Sequence, residues 1–275
     1  MTHDYAMRAG ANRWPVRQDP GVDLGLAGRV YVVSGGSRGL GRATAQALVR
    51  DGARVVVGAR DQAAVERAAQ ELGGSAHAVG VTADLGTAAA ARRLVDAAHS
   101  AYGGLDGALV SVGGPAPGTA LDTAEEAWRG AFESVFLGAL RVTRAVVGAL
   151  GPEGGSVAWV LSSSVRSPIP GLAVSNGLRP GLAGLAKTLA DELGPRGVRV
   201  NGLLPGRIAT DRTIELDRSS GDPAAAQRRS EASIPLGRYG EPAEFGRVAA
   251  FVLSPAASYL TGTMIAVDGG ALRTW

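Results

Sequence analysis

Short β-branched runs alternate with helical segments along nearly the whole chain, and this alternation leaves few architectures open. Strands are predicted at Arg29–Ser34, Ala53–Val57, Ala76–Val81, Ala108–Val112, Ser156–Leu161, Val198–Leu204 and Thr263–Val267. Between them, 3.6-residue periodicity predicts helices at Leu40–Arg50, Asp61–Leu72, Thr87–Tyr102, Glu125–Leu150, Leu178–Leu193 and Pro242–Leu253. Several of these end in Gly or Asp-Gly stop signals. Strands without polar alternation are covered on both faces, and parallel strands require helical crossovers. The expected fold class is therefore α/β: one doubly wound domain of about seven parallel strands flanked by helices. Residues 1–27 are polar and read as an N-terminal arm, with the domain at 28–275. The long polar stretch 207–240 follows the sixth strand at its carboxyl end, where such sheets bind ligands, so it is read as a substrate lid.

Composition narrows the function. The 275 residues include no cysteine, which removes disulfides, thiolate metal sites and cysteine nucleophiles. His3, His77 and His99 show no ligand spacing, so no metal site is expected. The 28 basic residues exceed the 25 acidic ones by only 3, and Lys187 is the only lysine. That dispersed excess is base-composition bias rather than a nucleic-acid footprint. No apolar run approaches a membrane span and no secretory leader is legible. The expectation is a soluble cytoplasmic protein acting on a small molecule.

After the first strand comes Ser34-Gly35-Gly36-Ser37-Arg38-Gly39-Leu40-Gly41. Glycines at 35, 39 and 41 allow a sharp turn and close approach of backbone to a pyrophosphate. The helix that follows directs free N–H groups at the phosphates. Gly35, Ser37, Arg38, Gly39, Leu40 and Gly41 are accordingly the candidate dinucleotide-binding residues. The second strand ends at Arg60, with no acidic residue to accept from a ribose hydroxyl. Arg38 and Arg60 suit a 2′-phosphate instead, so the expected cofactor is NADP(H).

With these motifs in place, the run from about 28 to 273 resembles the short-chain dehydrogenase/reductase family, whose fold is Rossmann-type. SGGSRGLG resembles the family's TGxxxGxG loop, and Ala83-Asp84-Leu85 its adenine-contacting segment. Ser111-Val112-Gly113-Gly114 stands where the family has NNAG. Arg199-Val200-Asn201 with Pro205-Gly206-Arg207-Ile208-Ala209-Thr210 resembles its VN…PGxxxT run, and Ile234–Tyr239 and Val267–Gly270 its C-terminal signature. The resemblance implies cofactor contacts from Asp84, Leu85, Ser111, Gly113, Pro205 and Gly206, with Ile208 and Thr210 on the nicotinamide carboxamide. It also implies a homo-oligomer, dimer or tetramer, built on the helices carrying Val135 and Ser175–Leu193, whose small apolar residues Ala183, Leu185, Ala186 and Leu189 fit either an interface or packing on the sheet.

The family's Asn-Ser-Tyr-Lys tetrad is largely absent. Its serine falls on Ser162, its tyrosine thirteen residues on at Ser175, and its lysine four further at Arg179. Its asparagine falls on Val135, 27 residues before Ser162. Ser162, Ser175 and Arg179 are the candidate catalytic residues, Arg179 also touching the ribose. Val135 has no group to bond a relay water, and a serine hydroxyl is a poor general acid at neutral pH. Pro180 suggests that the helix start is displaced by some residues. SNxxR in place of YxxxK, with Gly113-Gly114-Pro115, resembles a divergent subset of the family often labelled oxoacyl reductases. Three readings follow. The first is an NADP(H)-dependent carbonyl oxidoreductase with a non-standard proton donor. The second is the same fold doing redox-neutral proton transfer, elimination or cyclisation. The third is a non-catalytic NADP-binding protein.

Overall fold

Central strands of a doubly wound sheet are buried on both faces, which is why Val30–Ser34 (VYVVS) carries almost no polarity. In the computed structural model, which describes residues 22–218 and 221–274, that strand is β1 at the heart of the sheet. The others are β2 (Arg54–Ala59), β3 (Ala78–Thr82), β4 (Gly107–Ser111), β5 (Gly155–Val160), β6 (Val198–Pro205) and β7 (Met264–Val267). All six pairings are parallel, in the order β3-β2-β1-β4-β5-β6-β7. The expected single sheet of seven parallel strands is what the chain forms.

Helices α1 (Gly39–Arg50), α2 (Gln62–Glu71), α3 (Ala88–Tyr102), α4 (Glu125–Ala131), α5 (Gly138–Ala149) and α6 (Ala173–Leu193) follow in chain order, then α7 (Asp211–Arg218), α8 (Pro223–Ser233) and α9 (Pro242–Leu253). They cover two apolar cores, one on each face. One centres on Val32, Leu94, Val142, Trp159 and Leu182. The other centres on Tyr31, Leu48, Leu109, Leu203 and Phe245. The indole N–H of buried Trp159 donates to Thr143 Oγ1 at 2.9 Å, so its polar edge is satisfied inside the first core. On the other face α9 lies close on α1, since a Cβ at Gly246 would stand 2.4 Å from the Ala43 carbonyl.

Two expectations are corrected. The helix over 125–150 is not uniform: α4 and α5 are separated by a π-helical turn, Phe132–Leu137, with Val135 buried within it. The helix expected from Leu178 begins at Ala173, and Pro180 sits inside it. The loss of one backbone donor is tolerated there because side chains anchor the first turns: Asn176 Nδ2 donates to the Ile169 carbonyl at 2.9 Å, and Asn176 Oδ1 accepts the Ile169 N–H at 3.1 Å. Within the polar 207–240 stretch the chain forms two helices, α7 and α8. Most of the arm, Trp14 included, lies outside the described residues, but Leu26 at its end is 1% exposed and packs in the core with Tyr31 and Leu48.

Candidate active site

The candidate residues lie at the carboxyl ends of six strands, β1 to β6, and the parallel sheet gathers those ends along one edge. The order reverses between β1 and β4, which makes their shared end the switch point. There the backbone ladder stops and Ser34 takes over: its Oγ donates to the Ser111 carbonyl at 3.0 Å and accepts the Ser111 N–H at 3.0 Å. Gly35 turns over this junction with φ of +61°, and a Cβ on it would lie 2.6 Å from the Ser111 carbonyl. A Cβ on Gly41 would lie 2.3 Å from the Gly35 carbonyl. The loop has no room for side chains at either position.

Helix α1 opens on this loop with Arg38 at its N-cap, extended and making no side-chain cap, and with no acidic residue in its first turn. Its leading N–H groups and positive dipole end are thus left for an anion. Arg38 and Arg60 are both exposed, and among the described residues neither makes an ion pair or a side-chain hydrogen bond. Ser37 and Leu40 are half-buried at the loop. Thr210 meets the loop from the other side, its Cγ2 3.7 Å from where a Gly39 Cβ would be. Thr210 is held by the turn after β6, where Thr213 Oγ1 donates to the carbonyl of buried Ile208 at 2.6 Å. Pro205 ends β6, and Gly206 packs against Asp268, with a Cβ there only 2.6 Å from the Asp268 Cβ. Asp84 is exposed after β3, its carboxylate accepting the Gly86 N–H at 3.0 Å, and the Leu85 backbone lies against Gly138. Gly113 stands in open space. An uncapped helix start, a glycine loop without Cβ room and two unpaired guanidiniums fit a phosphorylated dinucleotide.

Beyond β5, two of the four positions, Ser175 and Arg179, come together. Arg179 is 6% exposed; its Nε donates to Ser175 Oγ at 3.2 Å and its Nη1 to the Val160 carbonyl at 2.9 Å. Ser175 and Arg179 are one turn apart on α6, so the helix register read from sequence holds through Pro180. Ser175 Oγ also stands 3.5 Å from Ser164 Oγ. Ser162 is not hydrogen-bonded to either partner. Its Oγ accepts the Ser164 N–H at 3.0 Å, capping the short 3₁₀ turn Ser163–Val165. Burial, then the nearby charge of Arg212, lowers the Arg179 pKa to about 10, which leaves it protonated at neutral pH.

Two residues of the site were not singled out from sequence. Ser164 is masked by its position in a run of three serines, and only the 3₁₀ turn shows which of them faces Ser175. Arg212 lies in α7, two residues after Thr210; its Nη2 donates to the Pro115 carbonyl at 2.7 Å. Helix α7 is fastened by buried Asp217, which accepts from Arg207 Nη1 at 3.1 Å and from the Tyr239 hydroxyl at 3.0 Å.

The family model described as Enoyl-(Acyl carrier protein) reductase matches residues 35–271. The chain belongs to the short-chain dehydrogenase/reductase family. Among its relatives, "Dehydrogenase/reductase SDR family member 4" of Homo sapiens is 36% identical over 260 residues, covering 92% of this chain and 89% of that protein. An uncharacterized oxidoreductase of Methylorubrum extorquens is 38% identical over 250 residues, covering 89% of this chain and 98% of that protein. The crystal structure of L-sorbose reductase from Gluconobacter frateurii, complexed with NADPH and L-sorbose, matches with a TM-score of 0.86 and 28% identity, over 92% of this chain and 100% of that chain. This short-chain dehydrogenase/reductase therefore has oxidoreductases among its relatives and an NADPH-bound reductase among its structural neighbours. Among the described residues, no helix is long and apolar enough to cross a membrane.

Proposed function

We propose that this protein is an NADP(H)-dependent oxidoreductase acting on a carbonyl or hydroxyl of a small molecule, with a buried serine–arginine pair where relatives use tyrosine and lysine. The observation that carries the reading is the uncapped start of α1 above a glycine loop with no space for a Cβ, a fit to a pyrophosphate. Unpaired Arg38 and Arg60 favour the 2′-phosphate form, as does NADPH in the sorbose reductase structure. Gly35, Ser37, Gly39, Leu40 and Gly41 would hold the pyrophosphate. Asp84 and Leu85 would flank the adenine, with Ser111 and Gly113 beside the ribose and Pro205, Gly206, Ile208 and Thr210 at the nicotinamide.

When bound, the nicotinamide supplies the hydride. The chain's own part is orientation and charge. Ser162 Oγ already accepts the Ser164 N–H, so its own hydrogen is left to donate to a carbonyl oxygen. Arg179 places a fixed positive charge where negative charge develops on that oxygen. Ser175 holds the Arg179 fork in position and is no acid at neutral pH, so the proton comes from water. Lack of a positioned acid typically costs ~10²–10⁴-fold, which favours activated carbonyls. We assign the protein to the cytoplasm. We also propose a homo-oligomer through α5 and α6, next to which Phe132, 43% exposed, stacks on Phe136 at 5.0 Å.

The test uses NADPH deuterated at the nicotinamide C4 with a panel of ketones and aldehydes. Transfer of deuterium to product, weakened at least tenfold in Ser162→Ala, supports the reading. A converted substrate of unchanged mass with no nicotinamide oxidised would refute it.

A further inference from the structure

Arg179 is a cation without a counter-charge. It is 6% exposed, yet among the described residues its bonds go only to a hydroxyl and a carbonyl, and no carboxylate pairs with it. Its hydrogen bonds use Nε and Nη1, and among the described residues its second terminal nitrogen, Nη2, makes none. A second guanidinium stands over the loop that leaves the neighbouring strand: Ser111, which ends β4, pairs with Val160, whose carbonyl Arg179 holds. Arg212, from lid helix α7, is tied to the Pro115 carbonyl and lies against Gly114, its Nε 3.3 Å from where a Cβ would be. Its one carboxylate neighbour, Glu215, is 3.9 Å away and more than half exposed, a loose pair that leaves most of the Arg212 charge uncompensated. The Arg212 charge is felt at Arg179, whose pKa it lowers further after burial. Two cations at neighbouring strand ends, one of them buried, repel each other and are stabilised by an anion between them.

We infer that the active-site cleft takes a small organic anion, its oxyanion held between Arg179 Nη2 and the Arg212 guanidinium, with Arg212 setting specificity. A neutral substrate would leave both charges facing each other in the closed cleft. The inference deepens the proposed oxidoreductase activity and rests on it for turnover, but not for binding. A carboxylate and a phosphate monoester share the required chemistry, and the test separates them.

Matched pairs are compared on the full-length protein loaded with NADP⁺ or NADPH: a 2-oxo acid against its methyl ester, and dihydroxyacetone phosphate against dihydroxyacetone. Binding is read by calorimetry and turnover by NADPH oxidation. The charged member of at least one pair is expected to bind at least tenfold more tightly than its neutral partner, and which pair discriminates tells carboxylate from phosphate. Arg212→Gln is expected to erase that ratio and Arg212→Lys to restore part of it, with NADPH affinity unchanged in both. Neutral members bound as well as charged ones would overturn the inference, even with turnover intact. So would an Arg212→Gln variant that weakens NADPH itself while preserving the ratio, since its partner would then be the cofactor. Charge-selective binding without NADPH oxidation would leave the anion site standing and defeat the redox reading instead.

Discussion

Replacing Gly41 by alanine isolates the feature on which the cofactor site depends. The added methyl would sit 2.3 Å from the Gly35 carbonyl oxygen and 2.8 Å from its carbon, both backbone atoms that no side-chain rotation can clear. Ordinary contact distances are longer by about 1 Å, so loop and helix must part by roughly that much. Such overpacking costs about 1–3 kcal/mol. Alanine also gains about 1 kcal/mol over glycine as a helix former, which partly hides the clash. Gly130→Ala in α4 supplies the control, because nothing lies within 4 Å of its Cβ and only the helix gain remains. The difference between the two variants in urea unfolding is therefore the clash, expected at about 1–3 kcal/mol. The same displacement turns at least one α1 amide away from the pyrophosphate, and a hydrogen bond to a charged acceptor is worth about 1.5–3 kcal/mol. NADPH affinity in a fluorescence titration should fall about 10–100-fold in Gly41→Ala and stay level in Gly130→Ala. A Gly41→Ala protein as stable as Gly130→Ala and binding NADPH like the parent would refute both the packing argument and the placement of the phosphates.

Other expectations follow from charged groups elsewhere in the site and lid. Arg38→Ala with Arg60→Ala should weaken NADPH by at least tenfold and leave NADH unchanged; parallel losses for the two nucleotides would remove the 2′-phosphate assignment. Asp217→Ala strands Arg207 and Tyr239, so it should cost about 1–3 kcal/mol and speed tryptic cleavage at Arg218, Arg228 and Arg229 in the lid helices. Glu244 caps α9, accepting from both terminal nitrogens of Arg238 and from the Glu241 N–H, and these bonds lower its pKa to about 2. A lowered folded-state pKa means stability present above the unfolded value near 4.5 and lost as pH falls toward about 2. The urea-midpoint gap between the parent and Glu244→Gln should accordingly be constant above pH ~5 and close below it; a gap independent of pH would contradict the assignment.

Strands such as VYVVS and VVVGA were legible because a buried parallel strand admits only apolar residues, and their alternation with helices leads to one sheet. The glycine loop was legible because its meaning lies in position, between the first strand and first helix. What escaped depends on three-dimensional company. No periodicity shows that the helix through Val135 takes a π turn, since apolar positions 132, 135 and 136 suit either geometry. The start of α6 was obscured by Pro180, because the compensating Asn176–Ile169 bonds join residues outside any helical pattern. Helices α7 and α8 read as a polar stretch because each covers little apolar surface and α7 is pinned by an acid, Asp217, that is buried only through its partners. Arg212 looked like one more arginine in an arginine-rich chain until α7 placed it on the Pro115 carbonyl.

Pro180 divides α6 unequally. Without its N–H, the rungs that join Ser175, Asn176 and Arg179 to the rest of the rod are one short, and those first turns are moored sideways, to Ile169 and to the end of β5, instead of lengthwise. Leu182, Ala186 and Ala190 beyond it are locked into the sheet. Hydrogen exchange is therefore expected to divide α6 at Pro180, the turns that carry Ser175 and Arg179 exchanging ahead of those that hold the fold.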